Sequence, residues 1–218
     1  MTATTTTRKR VAALLDQAGT TYAHDAGIKL GNTPAPLWQL LVLANLLSAR
    51  ISSGIAVDAA RELFTAGGRT PKGMAGLTWQ QRVDALGRGH YVRYDESTAT
   101  RLGECAELAQ NEYRGDLRKL AERGGHDPAK IGKLLQEFTG IGPSGVTIFF
   151  REVQSVWPFL RPQFDKIALD GADRLGLPTD PDRLAALVSG GDLAAFSAGL
   201  VRVSRESGLA EKVRAAAR

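Results

Sequence analysis

Residues 37–47 constrain the fold of this chain more than any other segment. They read LWQLLVLANLL, and only Gln39 and Asn45 interrupt the apolar residues. A helix that is apolar on every side has to be buried, so we expect a central helix surrounded by other elements. Pro34 and Pro36 precede it, where a helix start tolerates proline. With 218 residues, the chain is long enough to supply the surrounding layer.

Helical periodicity continues through most of the remaining sequence. One apolar face in residues 94–113 is formed at helical spacing by Leu102, Cys105, Ala106, Ala109 and Tyr113. Asp127-Pro128 and Asp180-Pro181 each predict an N-cap followed by proline at the first helical position. We find no strand with an apolar period of two and no internal repeat, so the predicted fold class is all-α.

Three short stretches fall outside this helical pattern. The threonine-rich residues 1–7 are expected to be disordered. Gly67-Gly68 and residues 71–76 are expected to form a loop, because glycine and proline favour turns. The three tryptophans are expected to pack in the core or between the lobes rather than to stack on a base: Trp38, Trp79 and Trp157.

Cysteine and histidine usage excludes several kinds of site. The single cysteine, Cys105, excludes an intramolecular disulfide, a CxxC zinc site and a four-cysteine iron–sulfur cluster. Its place on the apolar helix face predicts a buried, inert thiol. The three histidines share no metal-ligand spacing, so no metal is expected: His24, His90 and His126.

Charge and hydropathy indicate the kind of partner. The net charge of +5 and the isoelectric point near 9.6 favour an anionic partner, of which nucleic acid is the commonest. The longest apolar run is far shorter than the roughly 20 residues of a membrane span. The N-terminus, MTATTTTRKR, has no apolar stretch typical of a secretory signal. We therefore expect a cytoplasmic protein that does not act at a membrane.

A glycine-rich turn, residues 139–145 (TGIGPSG), separates two amphipathic helices. Gly140 and Gly142 permit a sharp turn and leave backbone amides uncovered at the start of the second helix. That end of a helix has partial positive charge and suits a phosphate group. The same pattern also fits a tight corner between two helices that binds no ligand.

The string LLQEFTGIGPSGV at residues 134–146 resembles the helix-hairpin-helix of the DNA glycosylase superfamily related to endonuclease III. Two further segments match the family in order: LLVLANLLSAR at 40–50 resembles its buried central helix, and LGRGHYVRYDESTA at 86–99 resembles its Gly-x-Tyr turn. The resemblance spans about residues 37–176.

This resemblance implies a two-lobed helical fold with a DNA-binding cleft between the lobes. Residues 34–154 would form a helical-barrel lobe that contains the hairpin at 128–153. Residues 1–33 would pack with the C-terminal helices of residues 155–218 to form the second lobe.

The resemblance also implies excision of a damaged or mispaired base from double-stranded DNA, after the base is flipped out of the duplex. Asp165 lies where the family has its catalytic aspartate, whose carboxylate stabilises positive charge on the deoxyribose or helps to activate water. Asp165 also fits a simple N-cap of the helix that starts at Lys166. The alternative function is a non-catalytic helix-hairpin-helix module that binds duplex DNA through its phosphates.

Two departures from the family pattern narrow the expected chemistry. Ser144 stands where bifunctional members have a lysine, so no Schiff base can form there and strand cleavage is not expected. The single cysteine indicates the branch without an iron–sulfur cluster. A monovalent cation held by hairpin carbonyls is the cofactor that the resemblance still allows.

The resemblance assigns DNA contacts to four hairpin residues and three loop residues. The hairpin residues are Gly140, Gly142, Ser144 and Gly145. In the loops, Arg50 matches a DNA-inserting position, His90 matches a second wedge, and Tyr91 follows in the Gly-x-Tyr turn. The alternatives are a solvated helix end for Arg50, an ordinary loop histidine for His90 and a packed ring for Tyr91. We expect a monomer that is associated with the nucleoid.

Overall fold

A computed structural model describes residues 2–218, which form helices connected by short loops and contain no strand. The all-α prediction is confirmed. In chain order the α-helices are α1 (Thr2–Ala18), α2 (Tyr22–Asp25), α3 (Pro34–Leu47), α4 (Ser53–Thr65), α5 (Pro71–Gly76), α6 (Trp79–Arg88), α7 (Asp95–Tyr113), α8 (Arg118–Arg123), α9 (Pro128–Leu135), α10 (Pro143–Val153), α11 (Lys166–Arg174), α12 (Pro181–Ala185), α13 (Leu193–Arg205) and α14 (Leu209–Ala216). A 3₁₀ helix, Pro158–Leu160, lies between α10 and α11.

The chain divides into two units. The central unit is Ala23–Phe149, and the terminal unit combines Met1–Tyr22 with Phe150–Arg218. The sequence predicts these divisions after residues 33 and 154, whereas the structure has them after Tyr22 and Phe149. Both divisions fall inside helices, α2 and α10, where the local sequence pattern does not change.

The central unit is built around α3, as the sequence predicts. Every residue of α3 from Leu37 to Leu46 is buried, and α3 packs against α4. The buried Gln39 and Trp38 donate hydrogen bonds to the carbonyls of Arg69 (3.2 Å) and Gly68 (3.1 Å). Polar atoms in a core require such partners, so the segment that follows α4 is fixed by the central helix.

The predicted loop at residues 71–76 is wrong, because this stretch forms helix α5. The Thr70 hydroxyl accepts a hydrogen bond from the Gly73 amide at 3.0 Å, and Pro71 takes the first helical position. A side-chain cap followed by proline starts a helix even in a glycine-rich segment. The N-cap predictions at Asp127 and Asp180 are confirmed, since each carboxylate accepts the amide three residues on.

The expectation for the N-terminus is also wrong. Residues 2–7 belong to α1 rather than to a disordered tail, and residue 1 lies outside the described residues. Trp79 is not in the core: it is 42% exposed, and its indole donates to the Thr100 hydroxyl at 3.1 Å. Trp38 and Trp157 are buried as predicted.

In the terminal unit, α13 packs against α11 and also against α1. The contact with α11 is closest at Gly171, where an added Cβ would lie 2.0 Å from the carbonyl oxygen of Leu200. Only glycine allows the two helix backbones to approach so closely. None of the helices in the described chain has both the length and the hydropathy of a membrane span.

We predict that Gly171→Ala lowers the free energy of unfolding by about 2 kcal/mol or more, because the methyl group forces α11 away from α13. Urea unfolding followed by circular dichroism measures this change. Gly87→Ala is the matched control, since a Cβ on this α6 glycine meets no atom within 4 Å. The control should be stabilised by up to about 1 kcal/mol. Equal stability of the two variants would contradict this packing.

Candidate functional site

The turn between α9 and α10 forms the hairpin that the sequence predicts. Ile141 is buried, and its amide donates to the carbonyl of Phe138 at 2.9 Å. Gly140 has φ of +87°, a left-handed conformation that favours glycine. Gly145 is buried under Ile141, whose side chain would lie 3.3 Å from an added Cβ. Gly145 therefore has a packing role, whereas Gly142 and Ser144 are exposed.

The first turn of α10 presents backbone amides without a side-chain cap. The Val146 amide donates to the carbonyl of Gly142 at 3.0 Å, so Gly142 occupies the N-cap position. Glycine has no side chain with which to cap the amides of Ser144 and Gly145, and Pro143 has no amide proton. A Cβ on Gly142 would meet no atom within 4 Å. The helix start is therefore open to an anionic ligand.

The central helix and α7 hold the hairpin turn in place. The carbonyl of Thr139 accepts a hydrogen bond from Asn45 Nδ2 at 2.9 Å and another from the Cys105 thiol at 3.2 Å. Asn45 also lies so close to Gly140 that an added Cβ would be 2.8 Å from its amide nitrogen. Asn45, a polar residue in the apolar helix α3, therefore fixes the position of the turn.

Exposed cations surround the hairpin. Arg50 lies in the loop after α3, close in sequence to Ser48 and Asn45, which contact the turn. Arg101 of α7 is exposed, and its Cδ would lie 3.1 Å from a Cβ on Gly140. Lys130 and Lys133 of α9 are also exposed. This group of cations gives the hairpin surface the charge that a phosphate backbone requires.

His90 and Tyr91 differ in their surroundings. His90 is exposed at the turn after α6 with φ of +62°. Tyr91 is only 1% exposed, and burial raises the pKa of its hydroxyl, which is opposed by a hydrogen bond with Thr98. The expected contact of the Tyr91 side chain with DNA is therefore corrected: its ring is buried, as in the packed-ring alternative, whereas His90 is accessible.

The Asp165 carboxylate has a hydrogen bond on each oxygen. Oδ1 accepts the Ala168 amide at 2.7 Å, so Asp165 is the N-cap of α11 as predicted. Oδ2 accepts from Nη1 of Arg151 at 2.7 Å. The side chains of Asp165 and Arg151 are only 9% and 5% exposed. Charge-assisted hydrogen bonds of this length fix the orientation of a carboxylate.

Arg151 is held by aromatic and acidic neighbours from the same unit. Its guanidinium lies over the ring of Tyr22, 5.6 Å from the centroid, and the guanidinium of Arg202 lies over the same ring at 4.5 Å. Glu152 is fully buried, and its carboxylate accepts the Tyr22 amide at 3.3 Å. The centre around Asp165 therefore contains two carboxylates and two guanidinium groups within one packed cluster.

Sequence reasoning missed Arg151, Arg101 and Asn45. Arg151 lies in the last turn of an amphipathic helix, a position that usually faces solvent, and its partner is 14 residues away. For Asn45, the polar residue in an otherwise apolar helix was the available signal. In the described part of the chain, no group of three or more His, Cys, Asp or Glu side chains is arranged to hold a metal ion.

Comparison with known proteins identifies the fold. The sequence matches no protein-family model and no curated protein. A trapped endonuclease III–DNA covalent intermediate with an estranged adenine is similar in structure, with a TM-score of 0.54, 13% identity, and coverage of 90% of this chain and 82% of that chain. A non-covalent endonuclease III–DNA complex has a TM-score of 0.57 at 13% identity, with coverage of 92% and 84%. This chain therefore has the fold of endonuclease III.

The Cys105 thiol gives a pH-dependent test of the hairpin anchor. Burial raises its pKa to about 12, whereas an unfolded thiol ionises near pH 9. Stability from the neutral thiol is fully present below about pH 9 and is lost as the pH rises toward 12. We predict that the free energy of unfolding falls between pH 8.5 and 11, and that the fall is shallower in Cys105→Ala.

Urea unfolding across this range measures both slopes. Tyr91 and Tyr113, whose hydroxyl pKa values are also raised by burial, are present in both proteins and cancel in the comparison. Identical slopes for the two proteins would show that the Cys105 thiol is not buried next to the turn.

Proposed function

We propose that this protein is a DNA glycosylase that removes a damaged or mispaired base and leaves the DNA strand intact. The observation that carries the proposal is the buried, doubly hydrogen-bonded carboxylate of Asp165 at the N-cap of α11, in a chain with the endonuclease III fold. A fixed carboxylate is what a reaction through a positively charged sugar requires.

In this reaction the target base leaves the stack and its N-glycosidic bond lengthens. Positive charge develops on the deoxyribose ring, and the negative charge of Asp165 stabilises it. The base departs with the electron pair of the N-glycosidic bond, and a water molecule adds to the anomeric carbon. The proton that this water loses ends on the released base, and an abasic site remains. Asp165 is already held by Ala168 and Arg151, so little reorganisation is needed as the charge develops.

Ser144 supports hydrolysis rather than covalent catalysis. It is exposed in the first turn of α10, at the position where bifunctional relatives have a lysine. A serine hydroxyl cannot form a Schiff base with the sugar, so β-elimination has no nucleophile there. We propose that the enzyme lacks lyase activity.

Cofactor requirements follow from the residues present. One cysteine cannot supply the four thiolates of an iron–sulfur cluster, so the residues do not fit that group. A monovalent cation at the hairpin would need carbonyls other than that of Thr139, which already accepts two hydrogen bonds. We propose that the protein acts as a cytoplasmic, nucleoid-associated monomer on double-stranded DNA.

A non-catalytic duplex-binding module is the second candidate, and one observation favours it. Asp165 is ion-paired with Arg151, so in a binding protein this carboxylate would serve only as a helix cap and a buried ion-pair partner. Such a protein would need the hairpin and its surrounding cations but no reactive carboxylate. An excision assay separates the two candidates.

The excision assay uses labelled duplexes that each carry one defined lesion: an alkylated purine, a mismatched adenine, uracil or an oxidised pyrimidine. We predict that one class yields breaks only after alkali, and that borohydride traps no enzyme–DNA adduct. Asp165→Asn should lower the single-turnover rate on that substrate about 100-fold or more, because the charge is lost.

The control for this substitution is its effect on folding and binding. An asparagine oxygen can accept from Ala168 or from Arg151 but not from both, so Asp165→Asn should melt at a lower temperature while still binding duplex DNA. Normal excision by Asp165→Asn would refute the assigned role. Absence of excision on every lesion would favour the binding module.

The hairpin is tested by Gly142→Asp. The new carboxylate caps the α10 amides and repels a phosphate, so the fold should be slightly stabilised while duplex affinity falls on the order of tenfold or more. Fluorescence anisotropy with several unrelated duplexes measures the affinity, and the loss should be similar for all of them.

Two controls separate charge from capping. Gly142→Asn supplies a similar cap without charge and should weaken binding less than Gly142→Asp. Gly76→Asp adds the same charge at another exposed glycine whose Cβ meets no atom within 4 Å, and it should leave affinity nearly unchanged. Full affinity of Gly142→Asp would show that DNA does not bind at the hairpin.

A further inference from the structure

We propose that Arg151 is the positioning residue of the reaction centre: it fixes the orientation of the Asp165 carboxylate, and the Tyr22 ring packs against Arg151. This inference rests on the proposed function, because it assigns Arg151 a role in stabilising a positively charged sugar. Arg151 is not itself expected to touch the DNA, since its side chain is only 5% exposed.

Arg151 fixes the one oxygen of Asp165 that the helix cap does not hold. The Ala168 amide holds only Oδ1 of Asp165. Rotation about the bond to the carboxylate could still place Oδ2 in several positions. The 2.7 Å bond from Arg151 Nη1 to Oδ2 removes that freedom. Two hydrogen bonds from different elements, α10 and α11, therefore determine the plane of the carboxylate.

Fold stability alone does not account for this arginine. Its Nε is buried and has no hydrogen-bond partner among the described residues, and the Glu152 carboxylate lies 4.0 Å away. A buried donor without a partner lowers stability, and buried ion pairs are often no more stable than apolar replacements. The donor that Arg151 does use is directed at Asp165. Arg151 therefore contributes more to holding the Asp165 carboxylate than to stabilising the core.

Tyr22 in turn supports the side chain of Arg151. Its ring lies under the guanidinium of Arg151, and its backbone amide is held by Glu152, the next residue of α10. Arg202 of α13 approaches the same ring and donates to the carbonyls of Ala18 and Thr20. The segment before α2 is thereby attached to α13, and the ring that supports Arg151 cannot shift freely.

The ion pair has two opposing electrostatic effects. The positive charge of Arg151 weakens the attraction between Asp165 and a cationic sugar. Without Arg151, however, Oδ2 of a carboxylate whose side chain is only 9% exposed would lose its hydrogen-bond donor, and the carboxylate would turn toward solvent. We infer that the second effect is larger, because a fixed charge stabilises a transition state without reorganisation.

The test measures recognition of a positive charge and needs no knowledge of the natural lesion. Two duplexes are compared: one contains a pyrrolidine in place of the deoxyribose, with a protonated nitrogen at the anomeric position, and the other contains a neutral tetrahydrofuran. A centre that stabilises a cationic sugar should bind the pyrrolidine duplex about 100-fold more tightly. The ratio of the dissociation constants of the two duplexes measures how strongly the Asp165 carboxylate favours a positively charged sugar.

We expect Asp165→Asn to bring this ratio close to one. Arg151→Gln, in which Asp165 is still present, should lower the ratio on the order of tenfold. Arg151→Lys keeps a positive donor and should recover part of the ratio. Affinity for the tetrahydrofuran duplex should change little in all three proteins. A purely structural Arg151 would change the melting temperature without changing the ratio.

Arg82→Gln is the matched control for loss of a buried arginine. Arg82 is buried in the central unit and bonds to the carbonyls of Met74, Leu77 and Ala99. This variant should be destabilised and should keep the wild-type ratio.

The outcomes distinguish this inference from the proposed function. If Asp165→Asn loses the ratio but Arg151→Gln keeps or increases it, Asp165 acts as proposed and the role of Arg151 is refuted. If the wild-type protein shows no preference for the cationic duplex, the proposed function fails and the role of Arg151 fails with it.

Discussion

The negative charge of a buried carboxylate needs hydrogen-bond donors or a positive charge beside it, and several elements of the terminal unit supply them at Asp165. The α11 amide and the α10 guanidinium each hold one carboxylate oxygen at 2.7 Å. The guanidinium in turn lies over the Tyr22 ring, which belongs to the N-terminal segment. Close packing of α11 on α13 at Gly171 keeps the capped helix in place. The contacts that hold this charge thus come from both ends of the chain.

The central unit is organised around a different requirement, which is to keep a tight turn rigid while its amides remain open. Asn45 and Cys105 hold the carbonyl of Thr139 from the core side. Gly142 leaves the helix start uncapped on the outer side. Rigid support behind open amides is the arrangement that binds phosphate without a cost for ordering the loop. The two units therefore hold the two parts of the proposed function, DNA attachment and charge stabilisation.

Local rules predicted much of this fold. Apolar periodicity identified α3 and α7, and Asp-Pro pairs identified the starts of α9 and α12, because caps and helix faces depend on neighbouring residues alone. These local rules do not predict which residues from distant parts of the sequence contact each other. Arg151 and Asp165 are separated by a 3₁₀ helix and an extended connection, and nothing in the sequence fixes their distance. Helix α5 was missed because its glycines outweighed the cap at Thr70.

We propose that the chain hydrolyses an N-glycosidic bond with Asp165 as the stabilising charge. Mass spectrometry of the products from a duplex with one lesion tests it most directly. We expect the wild-type protein to release a free base and to leave a full-length strand with an intact abasic site, and Asp165→Asn to form both products at least about 100-fold more slowly. Shortened strands from β-elimination, or formation of the same products by Asp165→Asn at the wild-type rate, would contradict this mechanism.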